Sequence, residues 1–417
     1  MGSLALTGCA GQSPEPPFSS NVGLPVNLGG GSSTALTPAS PPATSGPVAL
    51  LVPLSGPLQP VGQVLENAAK LGISAGGPAL DVRDTGGTPQ GAASAAQAAL
   101  AAGDGLILGP LTSAEAHAVA PLAQAAHVPV LAFTNDASAG APGIWALGIT
   151  PAQQVRRVVG AAGAAGRNQI AALLPDSDFG RSLGAALQQQ AGNVGGEGPD
   201  ITFYESGFGP LNQAVQNLSD FADRGEGLMR KIKAAQDLNT AAGRAQARAL
   251  QHQPIPPPPF NALFIGATQP DELAEIATLL PYYSVGTSQV QLLGPALWER
   301  NAAAMGHYGV YLGALYAAPD PAAAASFDAR YQAAYGAMPP DIANVAFDAA
   351  AVAALLASQG GYGVAALTNP SGFTGTDGVF RLMPDGEVDR GLAVFQITPG
   401  GPTIAQPAPA SFTGSNS

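Results

Sequence analysis

The 417 residues contain a single cysteine, Cys9, so the chain can form neither an intramolecular disulfide nor a cysteine-based metal cluster. Charge is scarce too. Asp, Glu, Lys and Arg make up 11% of the residues, and three lysines (Lys70, Lys231, Lys233) accompany thirteen arginines. With a formal net charge of −12 there is no basic face to hold phosphates, which argues against nucleic acid as a partner. No apolar run approaches the ~20 residues that span a bilayer as a helix. The histidines His117, His127, His252 and His307 show no metal-ligand spacing, and there is no Gly-x-Ser-x-Gly nucleophile elbow. None of the lysines follows a phosphate-loop glycine pattern, and Gly372, Gly375 and Gly378 do not form a dinucleotide fingerprint. The expectation is a protein that is not an enzyme and holds no cofactor or metal.

What is present is small and apolar: 46% hydrophobic residues, 54 glycines and 39 prolines, a composition of tight packing and many turns. From Pro47 onward, aliphatic runs alternate with helical stretches. Runs at 48–52, 79–83, 105–109 and 128–133 read as strands, with helices at about 60–75, from Thr88-Pro89, and at 113–126. This is the βαβαβαβ order of a doubly wound parallel sheet. Two of the runs end in nearly the same tripeptide, Pro53-Leu54-Ser55 and Pro110-Leu111-Thr112. Ligands in such sheets bind beyond the carboxyl ends of the strands, so these hydroxyls suit a pocket. They suit a helix cap equally well. Thr112-Ser113-Ala114-Glu115 reads as a capping box, whereas Ser55 has no such partner.

Thr150-Pro151-Ala152-Gln153 opens a second set, with strands at 170–174, 201–204, 262–265 and 290–293. Two successive α/β units imply two lobes with a cleft between them. Asp176 and Asp178 at a strand end read either as an acid/base pair or as turn residues. An insertion carries one long amphipathic helix across about 224–251, with six of the sixteen basic residues. It reads as a solvated face or as a partner-binding ridge. Helices at 322–335 and 344–358 follow, then a hairpin of 379–382 with 392–397, then a disordered tail over 401–417.

Several of these residues carry resemblances. Leu6-Thr7-Gly8-Cys9 resembles the lipobox of bacterial lipoproteins, which implies acylation of Cys9. Met1 to Ala5 is too short for a signal peptide's apolar region, so 1–46 is expected to be a truncated lipoprotein signal and flexible tether. From Pro47 to about Thr398 the chain resembles the type I periplasmic binding proteins. The matching runs are Pro53-Leu54-Ser55-Gly56-Pro57, Gly109-Pro110-Leu111-Thr112-Ser113, Asp178-Phe179-Gly180, Phe347-Asp348-Ala349 and Phe373-Thr374-Gly375 through Gly378-Val379-Phe380. The resemblance implies lobe one at 47–147 and 300–372, and lobe two at 148–299 and 373–400.

Within that fold the chain is similar to the penicillin-binding-protein activator lipoproteins, on the lipobox-like start, Pro-Leu-Ser-Gly-Pro, the Asp84-Thr85-Gly86-Gly87-Thr88 turn and the insertion. This implies a non-enzymatic monomer, lipid-anchored in the periplasm with the outer membrane favoured. It would regulate peptidoglycan synthesis by binding a penicillin-binding protein, with Arg230, Lys231 and Lys233 at the contact. The alternative is a solute-binding receptor of an ABC importer for an amino acid or other small polar ligand. Resemblance to the amino-acid receptors places a cleft at Ser55, Thr112, Ser113, Asn135, Phe179 and Gln269, with the ligand carboxylate at Thr112 and Ser113. Phe179 replaces the receptors' covering tyrosine, and Gln269 stands where a carboxylate would hold the ammonium, with Asp271 and Glu272 just beyond. An ammonium left without counter-charge costs roughly 2–5 kcal/mol, which disfavours a zwitterion.

Overall fold

The computed structural model describes Gly2 and residues 46–73, 76–191 and 198–412. The acylation site expected at Cys9 and the tether up to residue 45 lie outside the described residues. The chain divides into 1–42 and 43–417, and the fold below is that of the second unit.

Strand β1 (Val48–Val52) buries all five side chains, and its two faces meet different helix layers. That is why it reads as an unbroken aliphatic run rather than an alternating one. Helix α1 (Gln59–Gly72), β2 (Leu80–Asp84), α2 (Pro89–Ala102), β3 (Leu106–Leu108), α3 (Ser113–Ala126), β4 (Val130–Ala132) and β5 (Ile144–Ala146) follow. The sheet is parallel, in the order β2-β1-β3-β4-β5. Alanines of α2 and α3 cover one face, and α1 covers the other. Sequence reading gives no strand at β5, whose three residues are too few to show a period.

Helix α4 (Pro151–Ala164), β6 (Ile170–Pro175), α5 (Asp178–Ala191) and β7 (Asp200–Tyr204) start a second unit. After three more helices, α6 (Phe208–Leu218), α7 (Phe221–Asp237) and α8 (Ala241–Gln251), come β8 (Ala262–Ile265), α9 (Pro270–Tyr282) and β9 (Gln291–Gly294). A 3-10 turn, the short α10 (Ala302–Met305) and β10 (Leu315–Ala318) complete it. Strand order β7-β6-β8-β9-β10 repeats that of the first sheet, and β14 (Ala393–Thr398) and β15 (Gly401–Gln406) extend it antiparallel. In both sheets the order reverses between the first and third strands of the unit, which places crevices at β1/β3 and β6/β8.

Several expectations differ from the structure. β10 belongs to the second sheet, so the chain returns to the first lobe only near 318–321, not at 300. There α11 (Pro321–Tyr335) and α12 (Ala343–Ser358) pack on α1 and the first sheet. The expected terminal hairpin is two features. β11 (Phe373–Gly375), β12 (Gly378–Leu382) and β13 (Val388–Arg390) form a separate sheet, whose Phe373, Phe380, Leu382 and Val388 join the first lobe's core with Trp145. The third crossing therefore falls at 390–393 rather than 373, because the aromatic face of this small sheet matches lobe one. The stretch expected as a disordered tail is ordered from 401 to 412 in part as β15. Arg157 holds the Pro407 carbonyl at 3.1 Å, and Arg381 lies 4.8 Å from the Phe412 ring.

The long helix expected over 224–251 is a helical hairpin, α7 and α8, broken at Leu238-Asn239-Thr240. Asn239 takes a left-handed backbone and the Thr240 hydroxyl caps α8 by accepting from the Gly243 N–H at 3.0 Å. One period fits both halves because Ile232 and Ala235 of α7 bury against Ala247 of α8. Arg224 is not part of a solvated face. It is 8% exposed and donates to the carbonyls of Pro256 and Tyr283, pinning the hairpin to its lobe.

Candidate functional site

The crevice of the first lobe is built from the ends of β1, β2 and β3. Asp84, the last residue of β2, accepts from the N–H groups of Leu54 (2.7 Å), Ser55 (3.2 Å) and Gly86 (2.8 Å). Burial works against its ionisation, but hydrogen bonds from the Ser55 side chain and these amides hold its carboxyl below the usual range. Ser55, exposed, is thereby tied to the chain itself.

Thr112 caps α3 in a complete capping box with Glu115. Glu115 is fully buried and accepts from the Thr112 N–H (3.0 Å), the Thr112 hydroxyl (2.8 Å) and the Thr85 hydroxyl (2.5 Å). Ser113 follows, and its hydroxyl donates to Asp136 Oδ2 at 2.6 Å. The other oxygen of Asp136 accepts from the Ser138 N–H at 2.9 Å, and His117 Nε2 donates to the Ser138 carbonyl at 3.1 Å. The bond from Ser113 is the main reason that the Asp136 carboxyl sits below its ordinary range. An anion of the chain's own therefore already occupies the Ser113 hydroxyl. Asn135, beside it, is exposed.

The second lobe's crevice has the same plan at β6 and β8. Arg181 bridges Asp176 and Asp178 at 2.5 and 2.8 Å, so neither carboxylate stands as a free acid or base. Phe179 is half-buried and packs against its own lobe's core. Gln269 is the residue before α9, exposed, and its side chain makes no capping bond. Of the two acids beyond it, Asp271 is exposed, and Glu272 accepts from the Tyr204 hydroxyl at 3.3 Å. Burial moves the Glu272 carboxyl upward, against the hydrogen bond from Tyr204. Among the described residues, no three His, Cys, Asp or Glu side chains converge to hold a metal ion.

Both crevices share one device, the close approach of a helix to the proline ending the preceding strand or turn. A Cβ on Gly62 would lie 1.8 Å from the Pro53 carbonyl oxygen, and one on Gly180 would lie 1.9 Å from that of Pro175. Neither backbone has room to move. Gly180→Ala is expected to cost about 1–3 kcal/mol in urea unfolding. An unchanged midpoint would contradict the close approach.

Sequence reading places Ser55, Thr112 and Ser113 together at one crevice mouth; in the structure Ser55 follows β1, and Thr112 and Ser113 follow its neighbour β3. Phe179 and Gln269 lie on the second lobe. Sequence reading missed Asp136, although Asn135-Asp136-Ala137-Ser138, set off from β4 by two residues, carries the spacing of a side-chain-capped turn.

A family model of periplasmic binding proteins matches residues 47–402. A comparison with curated proteins finds no match. Among solved structures, a protein of Rhodospirillum rubrum assigned to branched-chain amino acid ABC transport is 17% identical with a TM-score of 0.63, covering 86% of this chain and 99% of that one. An ABC transporter substrate-binding protein of Sphaerobacter thermophilus is 18% identical, TM-score 0.58, covering 87% and 96%. The C-domain of LpoA from Haemophilus influenzae, a regulator of PBP1A, is 17% identical, TM-score 0.60, covering 86% and 100%. At such identities the likeness is one of fold.

Proposed function

We propose that this chain, which belongs to the periplasmic binding protein family, is a regulatory envelope protein that docks a penicillin-binding protein, with its cleft not serving as an amino-acid site. Cys9 is its acylation site and holds it to the membrane, the outer one by the residues that follow it. The observation that carries this reading is Asp136 on the Ser113 hydroxyl. A ligand carboxylate arriving at that hydroxyl meets a fixed negative charge a hydrogen-bond length away. Like charges so close near a protein surface cost on the order of 4 kcal/mol at 4 Å. Thr112 offers no substitute, because Glu115 holds both its hydroxyl and its N–H. In the second lobe Gln269 stands where a carboxylate would meet an ammonium, and Asp271 lies two residues further on, exposed in the first turn of α9. The likeness to a regulator of a penicillin-binding protein supports the same reading at the level of fold.

Thermal shift against a panel of amino acids and short peptides tests it. A ligand at 100 times its dissociation constant stabilises by about 2.7 kcal/mol, so a receptor would be plain to see. No upward shift is expected for any carboxylate ligand. A clear shift that disappears in Ser113→Ala would instead establish a solute receptor.

A further inference from the structure

The connection from β2 to β3 needs one helix, α2, whereas the equivalent connection from β7 to β8 carries α6 and then the α7–α8 hairpin. The hairpin is thus surplus to the fold. It has its own small core of Ile232, Ala235 and Ala247, and the Arg224 bonds fasten it to the body.

Its charges are unlike those elsewhere. Three of the sixteen lysine and arginine side chains hold neither an ion pair nor a hydrogen bond among the described residues: Lys231, Lys233 and Arg244. All three lie on the hairpin and are exposed. Arg230, by contrast, is paired with Glu226 at 3.0 Å. Between the two helices runs an apolar groove lined by Ala234, Leu238 and Leu250, with Lys231 at its edge. Leu238 is 60% exposed and Met229 is 64% exposed. One unpaired cation at the edge of an exposed apolar groove and two more on the same hairpin, in a chain of net charge −12, are complementary to an apolar segment of negative charge.

We propose that the α7–α8 hairpin is a docking surface for an acidic segment of a partner protein, whose apolar side chains fill the groove at Leu238 while its carboxylates meet Lys231 at the groove's edge, drawn there also by the unpaired charges of Lys233 and Arg244 on the same hairpin. The segment's identity as part of a penicillin-binding protein rests on the functional reading above; its chemistry does not.

The test places a photo-crosslinking amino acid at Leu238 of the full chain in its own cells, with the crosslinked peptide sequenced by mass spectrometry. The expected adduct is a net-negative segment of one other protein. The triple variant K231E/K233E/R244E is expected to lose the adduct about tenfold while its melting temperature stays that of the parent, since these exposed side chains hold no ion pair or hydrogen bond. An adduct with lipid, with a second copy of this chain or with a segment lacking net negative charge would overturn the proposal. So would no adduct, or one that survives charge reversal. If the acidic segment belongs to a protein other than a penicillin-binding protein, the docking surface stands and the functional reading falls.

Discussion

Arg390→Met is expected to cost about 3–5 kcal/mol at pH 7.5 and distinctly less at pH 5. Arg390 sits where the chain crosses between lobes for the third time, 7% exposed. Its guanidinium donates to the Leu147 carbonyl at 2.8 Å, at the first crossing, and lies 5.1 Å from the Phe380 ring. It also faces two acids. Asp348, 3% exposed on α12, accepts from the Thr376 N–H at 2.8 Å and from its hydroxyl at 3.0 Å. Asp377 accepts from Asn344 at 2.7 Å. Burial pushes the Asp348 carboxyl up from 3.8 to about 6, with Arg390 pulling the other way and Asp377 adding to the rise. Asp377 is likewise raised, by burial first, against the attraction of Arg390.

The sign follows from linkage. A folded-state value above the unfolded one means that the folded chain binds the proton more tightly. The Asp348 contribution is therefore fully present below about pH 4 and lost as the pH rises through about 6. Without Arg390 the two carboxylates keep their burial and lose their counter-charge, so both values move further up. The variant's stability should fall more steeply between pH 5 and 7.5 than that of the parent, and adding Asp348→Asn should flatten the slope. Urea unfolding at the two pH values measures this. An equal loss at both would mean that Arg390 acts only through the Leu147 carbonyl and the Phe380 ring, not through the two acids.

Glu115→Ala is expected to cost about 2–4 kcal/mol, since it leaves the hydroxyls of Thr85 and Thr112 and the Thr112 N–H without an acceptor. Glu115 is fully buried, and its bond to Thr85 spans two loops, so it fastens the turn after β2 to the start of α3. Hydrogen exchange should speed up at 85–88 and 112–115 together. A loss under about 0.5 kcal/mol would show that the capping box is dispensable.

How much of this was legible depended on the range of each interaction. β1, β6 and β8 are continuous aliphatic runs because helices cover both faces, and the capping boxes at Thr112 and Thr150 are four-residue signals. Two doubly wound α/β lobes follow from those local signals; the type I periplasmic binding fold came from resemblance, and the match to a family model of periplasmic binding proteins agrees with it. The lobe crossings were harder. Leu315–Ala318 looks like any short apolar stretch, and which sheet it joins is decided by its partners Leu293 and Phe395 far along the chain. The break at Asn239 was hidden because two packed helices preserve a single period. In the crevice, Glu115 was readable from its spacing to Thr112. Asp136 was not, since its bond to Ser113 spans 23 residues and exists only because β3 and β4 are neighbours.

The most direct measurement is binding of the purified full chain to a purified penicillin-binding protein from the same cell, by interferometry at increasing salt. The account predicts saturable binding with a dissociation constant of about 10 μM or tighter, weakening as salt screens the contact. No binding at any salt, alongside stabilisation of the free chain by an amino acid, would contradict it.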